Sequence, residues 1–161
     1  MRQRVLGHLV HPHLKRIHPS RRRRILIRCD LPPGDIVLLT GAVRDLLAAH
    51  PGELAIDVRT TARDLWHFHP GLTALEEGDP TVETVEVQMP GSTDCNTRPI
   101  HLQTWLLDEL NRKLGTRAVP TAFHGEVFLS PTDWKRPSPQ RELTGIDLPY
   151  WILVAGGKRD H

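Results

Sequence analysis

The sequence predicts an α/β protein with a parallel sheet. The prediction rests on a β-branched apolar run at residues 24–28, an apolar helical pattern at 35–49 and a second apolar run at 53–58. A strand, a tight loop, a buried helix and another strand in close succession form a βαβ unit, whose strands are almost always parallel. A length of 161 residues fits one domain rather than two.

The first helix is predicted to begin at Asp35. The preceding "CDLPPG" is predicted to be a loop, because two prolines and a glycine do not continue a strand. Pro51 and Gly52 end the helix. Its apolar face is wide enough to predict that the helix is largely buried.

Weaker elements follow the second strand. We expect a short helix at 61–68 that is capped by Thr60 or Thr61. Alternating apolar residues predict a strand at 82–88 with one face in solvent, and 89–99 is predicted to be a loop.

A second strong helix is predicted after this loop. Pro99 suits its first turn and Gly115 suits a left-handed stop. A last apolar strand is predicted at 150–155. The helix carries an apolar stripe: Leu102, Trp105, Leu106, Leu110 and Leu114.

The charge is distributed unevenly. Residues 1–24 contain eight Lys and Arg and no acid, which leaves 13 bases against 19 acids, a net charge of −6, in the rest. Residues 1–23 are predicted to be a tail that can contact an anionic membrane surface, and the alternative is a solvated, poorly ordered terminus. Nucleic-acid binding is not expected, because the acidic body would repel phosphates.

Other composition features exclude several classes of protein. No apolar run is long enough for a membrane span, and no apolar stretch follows the basic start as in a secretory signal. Two cysteines are too few for a disulfide framework. Ten histidines occur without HExxH or paired CxxC spacing, so we expect no metal. We also expect no cofactor, and a cytoplasmic location.

Gly34 and Asp35 lie where the first strand of a parallel sheet meets its helix. In open α/β folds ligands bind at this edge of the sheet, and a glycine lets a ligand approach the main chain closely. Asp35 can be a helix N-cap or a chemical base, and the residues alone leave both readings open. A single glycine in "DLPPGD" does not make a dinucleotide fingerprint.

A second polar cluster precedes the 102–114 helix pattern. Asn96, Arg98 and His101 would suit an anionic or polyhydroxyl ligand at a helix N-terminus. The alternative is ordinary capping by Asn96 or Thr97. Near the end of the chain, a strand followed by Gly156, Gly157 and Lys158 is typical of a phosphate-facing turn.

The chain resembles glycosyltransferase family 9, the ADP-heptose:lipopolysaccharide heptosyltransferase-like family. The resemblance rests on "ILIRCDLPPGDIVLLTGAVRDLLAAHPG", "DVRTTARDLW", "CNTRPIHLQTWLLDELNRKLG" and "PYWILVAGGKRDH", which together span about residues 24–161. It implies the N-terminal half of a GT-B fold, a Rossmann-like parallel sheet flanked by helices. Residues 24–148 would form the acceptor-binding domain, and 149–161 the first strand of a truncated donor-binding domain.

The same resemblance implies an inverting transfer of a sugar from a nucleotide-sugar, such as ADP-heptose, to a glycan or lipopolysaccharide-type acceptor. Asp35 would be the catalytic base, Gly34, Asn96, Arg98 and His101 would contact the acceptor, and residues 156–158 would contact the donor phosphate. We expect the 161 residues alone to be inactive. The alternative is a non-catalytic α/β ligand-binding module in which the basic tail binds anions and Asp35 is only a cap.

Overall fold

A computed structural model describes residues 22–89 and 99–146 of the chain. The chain divides into two compact units, Met1–Phe128 and Leu129–His161. Residues 1–21 of the predicted tail and the predicted last strand lie outside the described residues, whereas Arg23, the last residue of that tail, belongs to β1. The proposed domain boundaries stay predictions. The described elements are β1 (Arg23–Cys29), α1 (Pro33–Ala49), β2 (Leu54–Thr60), a 3-10 helix (Arg63–Trp66), β3 (Val82–Val87), α2 (Leu102–Leu114), α3 (Pro131–Lys135) and α4 (Pro139–Thr144).

The three strands form a parallel sheet in the order β2-β1-β3. Ile27 at the centre of the sheet pairs with Val58 on one side and Val85 on the other. The α/β class and the parallel βαβ unit are therefore confirmed. Because the chain adds β2 to one side of β1 and β3 to the other, the strand order reverses between β1 and β3.

The two faces of the sheet differ in character. Ile25, Ile27 and Cys29 of β1 belong to the hydrophobic core, which also contains the buried sides of α1 and α2. Side chains alternate along a strand, so Leu26 and Arg28 lie on the opposite face, which we call the polar face. Both long helices of the described residues thus cover the same face of the sheet.

Helix α1 begins two residues earlier than the sequence pattern indicates. Pro32 is its N-cap residue, and the main-chain N–H groups of Asp35 and Ile36 both donate to the Pro32 carbonyl. The reading of Asp35 as an N-cap is therefore wrong. The physical reason is that Pro33 fits the first helical position, where its missing N–H leaves no bond unmade.

Helix α2 ends as predicted but begins later. Gly115 adopts the left-handed conformation with φ of 68° and closes the helix. His101 is the N-cap, and its Nδ1 accepts a bond of 3.3 Å from the main-chain N–H of Gln103. Pro99 therefore lies outside the first turn.

This helix start also excludes Asn96 and Thr97 as N-caps. His101 has the extended backbone conformation of a cap residue, and its ring supplies the acceptor that a shorter polar side chain usually provides. Asn96 and Thr97 themselves lie outside the described residues.

The predicted helix at 61–68 is a single 3-10 turn, and its predicted cap is wrong. Ala62 occupies the N-cap position without a side-chain bond. The hydroxyl of Thr61 instead donates to a carbonyl in the β1–α1 loop, and the hydroxyl of Thr60 accepts from the indole N–H of Trp66 at 3.2 Å. Tertiary contacts thus use both hydroxyls.

Residues 121–128 cross α1, and we call them the crossing segment. A Cβ on Gly41 of α1 would lie 2.6 Å from the His124 carbonyl oxygen. On either side of this contact, Arg44 donates to the His124 carbonyl at 3.1 Å, and the Thr40 hydroxyl accepts from the Glu126 N–H at 2.6 Å. The absence of a side chain at Gly41 lets the two main chains meet.

A buried carboxylate joins the crossing segment to both long helices. Asp45 of α1 accepts a bond of 3.1 Å from Gln103 of α2 and one of 2.5 Å from Thr121. Burial opposes ionisation of Asp45, but the bonds from Arg44 and Thr121 outweigh it and lower the pKa of this carboxyl. Asp45 is therefore a charged, fully partnered group inside the protein.

The second unit contains α3 and α4, which have no buried residues. Ser130 and Asp133 form a capping box at the start of α3. Trp134 and Leu143 are 75% and 87% exposed. Within residues 22–89 and 99–146, no helix has the length and apolar character needed to cross a membrane.

Candidate functional site

A cleft of about 450 Å³ lies at the carboxyl edge of the sheet. It includes the ends of all three strands, at the place where the strand order reverses. Open α/β sheets bind their ligands at such a place. The residues that line the cleft are Arg28, Cys29, Asp30, Leu31, Arg59, Thr60, Arg63, Glu77, Glu86, Val87, Gln88 and Met89.

A row of three charged residues forms one wall of this cleft. Arg28 of β1 pairs in register with Arg59 of β2 and with Glu86 of β3. All three belong to the polar face, because they are in register with Arg28. The charged wall therefore lies on the side of the sheet opposite to α1.

Residues 74–79 cross the polar face from β2 to β1, and we call them the strap. At its start, Asp57 of β2 accepts a bond of 2.8 Å from the Leu75 N–H, and Arg59 donates to the Leu75 carbonyl at 3.2 Å. Asp57 is 6% exposed and also pairs with Arg59 at 2.7 Å. A buried carboxylate thus fixes the start of the strap.

Ion pairs hold the other end of the strap. Glu77 pairs with Arg28, and Asp79 pairs with Arg24 at 2.6 Å. Main-chain and hydroxyl bonds from Thr81, together with Arg24, lower the pKa of Asp79 to about 2. Glu77 consequently forms part of the cleft wall while it neutralises Arg28.

Four polar side chains of the cleft retain unused bonding capacity. Asp30, Arg63, Glu86 and Gln88 make no side-chain hydrogen bond or ion pair with any residue that the structure describes. They offer one cationic donor, two carboxylates and one amide. The cleft can therefore both donate to and accept from a polar ligand.

Cys29 is a buried thiol at the base of the cleft. Burial raises its pKa, and the negative charges of Asp30 and Asp35 raise it further. A thiol of this kind remains protonated and unreactive at neutral pH. Cys29 is therefore a structural residue at the base of the cleft and not a candidate nucleophile.

Asp35 and Gly34 lie in the first turn of α1 and are not among the residues that line the cleft. Asp35 is half-buried, and its carboxylate makes no hydrogen bond with the described residues. A Cβ on Gly34 would have no heavy atom within 4 Å. Open space therefore lies above Gly34.

The structure describes only one of the other predicted site residues. His101 is exposed, and its ring packs edge-on against Phe123 at 5.1 Å. It lies at the N-terminus of α2, as the sequence predicts, and its Nδ1 is occupied as a cap. Asn96, Arg98 and residues 156–158 lie outside the described residues, and in the described part no group of three or more His, Cys, Asp or Glu could hold a metal.

A second cavity of about 680 Å³ adjoins the cleft. The two share Arg59, Arg63 and Glu77. His69 also lines the second cavity and is 9% exposed. Its burial lowers its pKa, with a smaller opposing effect from the charge of Glu126.

Sequence reasoning missed the charged wall of the cleft. A signal was present in two of the strands, because charged residues recur at even spacing at Arg24 and Arg28 of β1 and at Asp57 and Arg59 of β2. Alternation of this kind indicates a strand with one polar side. Only the register shows that Arg28, Arg59 and Glu86 stand in one row.

Comparison of the chain with protein-family models, with curated proteins and with solved structures finds no match.

Proposed function

We propose that this chain is the acceptor-binding half of an inverting glycosyltransferase with a GT-B fold, similar to family 9. Its sheet would be one of the two Rossmann-like domains of such an enzyme. The observation that carries the proposal is the polar cleft at the carboxyl edge of a parallel sheet, between the strands where the order reverses. The sequence resemblance supplies the class of reaction.

The chemistry of the cleft suits a sugar. Sugar hydroxyls both donate and accept hydrogen bonds, and the cleft offers the Arg63 guanidinium as a donor and the Asp30 and Glu86 carboxylates as acceptors. The acceptor would be a glycan or a lipopolysaccharide-type oligosaccharide. The donor would be a nucleotide-sugar such as ADP-heptose, bound chiefly by a second domain and by Gly156, Gly157 and Lys158.

In the proposed reaction an acceptor hydroxyl oxygen attacks the anomeric carbon of the donor. The bond from that carbon to the nucleoside diphosphate breaks on the opposite face, and the hydroxyl proton passes to the Asp35 carboxylate. An ionised carboxylate is sufficient, because the hydroxyl becomes acidic only as it attacks. Two observations support this role: Asp35 is not engaged as a cap, and its carboxylate has no partner among the described residues.

Gly34 supports the same proposal for a different reason. Its backbone does not have the positive φ that requires glycine, and nothing in the described structure would touch a Cβ there. Glycine in a helix costs up to about 1 kcal/mol relative to alanine. The fold therefore does not explain this glycine, whereas close approach of an acceptor would.

Three further assignments are part of the proposal. Asn96, Arg98 and His101 would provide polar contacts to the acceptor at the start of α2. The basic tail at 1–23 would hold the protein against the anionic inner membrane from a cytoplasmic location. No cofactor is needed for a transfer of this type.

The first test is acceptor binding to the 161-residue chain. We would titrate it with a lipopolysaccharide core oligosaccharide and follow the backbone amides by NMR. Shifts are expected at 29–31, 59–63 and 86–88, and Glu86→Gln should weaken binding about tenfold through loss of a charged acceptor. Glu76→Gln, an exposed glutamate outside both cavities, is the matched control. An acceptor that shifts no cleft amide would refute the proposal.

One observation favours a second function, a non-catalytic carbohydrate-binding module. The charged wall of the cleft lies on the polar face, whereas Asp35 belongs to the helix that covers the other face. Asp35→Asn separates the two functions when a donor-binding domain is supplied. If the chain belongs to a transferase, the Asp35→Asn variant loses sugar transfer while its acceptor affinity changes less than about twofold. If the chain is a binding module, neither the wild-type protein nor the variant transfers a sugar.

A further inference from the structure

The cleft and the second cavity are neighbours with a common border. Arg59, Arg63 and Glu77 line both of them. Their volumes are about 450 Å³ and 680 Å³, and each falls in the range of about 300–1,000 Å³ that is typical of cavities for small ligands. Each cavity is therefore large enough to hold a ligand unit of its own, and a ligand that fills one meets residues of the other.

The border between the two cavities combines a fixed arginine with a free one. The Arg59 guanidinium donates to Asp57 at 2.7 Å and to the Leu75 carbonyl at 3.2 Å, so the sheet and the strap set its position. Arg63 makes no hydrogen bond or ion pair with the residues that the structure describes. A guanidinium has five N–H donors. Arg63 can therefore donate to oxygen atoms on both sides of the border.

The walls of the two cavities differ in chemistry. The cleft offers the carboxylates of Asp30 and Glu86 and the amide of Gln88. The second cavity adds apolar and aromatic side chains, which are Val58, Trp66, His67, His69, Leu72 and Ala74. A sugar ring has hydroxyl groups at its rim and apolar C–H groups on its faces, so it suits a site that combines polar groups with an aromatic ring. The second cavity thus has the wall chemistry of a sugar site.

His67 presents an aromatic ring at the second cavity. Its side chain lines the cavity and is exposed, whereas Trp66 beside it is only 6% exposed. The imidazole packs edge-on against the ring of Phe68 at a centroid distance of 4.6 Å. The main-chain N–H of His67 also donates to the Asp64 carbonyl at 3.3 Å. These contacts hold in place a solvent-accessible ring on which the apolar face of a sugar can stack.

We propose that the cleft and the second cavity are consecutive subsites for one oligosaccharide. The sugar unit that reacts occupies the cleft, and the unit linked to it lies in the second cavity against the ring of His67. Arg63 donates to both units at the border. The inference rests on the proposed sugar site in the cleft, and it adds that the acceptor contains at least two linked sugar units.

The test compares sugars of increasing length on the 161-residue chain. The probes are the monosaccharide, disaccharide and trisaccharide from the non-reducing end of the lipopolysaccharide core oligosaccharide, and NMR follows the backbone amides. The monosaccharide should shift the amides of 29–31 and 86–88, and the disaccharide should also shift those of His67 and 72–74. The disaccharide should bind at least about tenfold more tightly, because its second unit adds contacts without a second loss of free motion. The trisaccharide should gain less than about twofold more, because its third unit has no subsite.

Three variants locate the second subsite. His67→Ala should weaken disaccharide binding about two- to tenfold and leave monosaccharide binding unchanged, because it removes an aromatic surface from the second cavity alone. His67→Phe retains an aromatic ring and should restore most of the lost affinity. His124→Ala, which replaces an exposed histidine outside both cavities, should leave the affinity for both sugars unchanged. His67 is itself exposed, so its replacement should not unfold the protein.

The possible outcomes separate the pair of subsites from the sugar site itself. Equal affinities for the monosaccharide and the disaccharide would overturn the proposal, and so would a disaccharide affinity that His67→Ala does not change. Shifts confined to the second cavity would also overturn it, because the two cavities would then not bind one ligand. The sugar site of the cleft stands in the first two cases if the monosaccharide shifts the cleft amides. If no sugar shifts a cleft amide, both the sugar site and the pair of subsites are refuted.

Discussion

Two glycines of α1 should respond in opposite ways to the same substitution. At Gly41 a Cβ would lie 2.6 Å from the His124 carbonyl oxygen and 2.8 Å from the side chain of Gln103, whereas an ordinary contact begins at 3.4 Å. At Gly34 nothing lies within 4 Å of the Cβ position. Both residues have helical backbone, so the substitution adds the same methyl group to the same helix.

The magnitudes follow from these distances. Alanine in place of glycine favours a helix by about 1 kcal/mol. At Gly41, relieving the contact requires the crossing segment to move by about 0.8 Å, which overpacks a buried site at a cost of about 1–3 kcal/mol. The movement also weakens bonds from Arg44 and to Thr40, each of which contributes about 1 kcal/mol. We expect Gly41→Ala to lower the free energy of unfolding by about 2 kcal/mol.

Equilibrium urea unfolding, followed by circular dichroism, measures both variants. With a slope of about 2 kcal/mol per molar urea, Gly41→Ala should lower the midpoint by about 1 M. Gly34→Ala should leave the midpoint unchanged or raise it, and it should weaken acceptor binding if a ligand approaches the main chain there. If Gly41→Ala proves as stable as Gly34→Ala, the close packing of the crossing segment on α1 is wrong.

Three further predictions concern titratable groups. Asp57→Ala should lower the free energy of unfolding by about 2–3 kcal/mol, because it leaves the buried N–H of Leu75 without an acceptor. Urea unfolding measures this change, and unchanged stability would mean that the strap is not fixed by this carboxylate. His69 has a folded pKa below its ordinary 6.5, so stability should fall as the pH drops below about 6.5, and His69→Phe should remove this dependence in thermal unfolding at different pH values. Asp79 has a folded pKa of about 2 against an ordinary 3.8, so its stabilising effect is present above pH 3.8 and is lost as the pH falls towards 2. Asp79→Asn should therefore reduce the change of unfolding free energy with pH in that window. If the pH dependence is the same in the variant, Asp79 is not its cause.

Local patterns were enough to predict most elements of the first unit. The apolar runs and the spacing of apolar residues predicted β1, β2, β3, α1 and α2, because burial of one face of a helix or strand determines that spacing. Their boundaries were less accurate. Pro33 in a first turn and His101 as a cap depend on backbone geometry that a hydrophobic period does not contain, so both helix starts were misplaced.

The candidate site was harder to predict, because its residues meet through long-range register. Gly34 and Asp35 were predicted from their position after a strand, and neither residue lines the cleft. Arg28 and Glu77 are 49 positions apart, and their ion pair depends on the course of the strap over the polar face. In the adjoining cavity, the bond from the Gly71 N–H to Nδ1 of His69 likewise depends on a local turn that no spacing rule specifies.

The two ends of the strap are held by different kinds of interaction. Its start is fixed by the buried carboxylate of Asp57, which mobile ions do not reach, whereas Glu77 and Asp79 pair with arginines that are more than one-third exposed. Dissolved salt screens exposed pairs over about 8 Å at physiological ionic strength and over shorter distances in stronger salt. Ionic strength therefore acts on one end only. Rising salt should release the strap at Glu77 and widen the mouth of the cleft while the sheet beneath it remains intact.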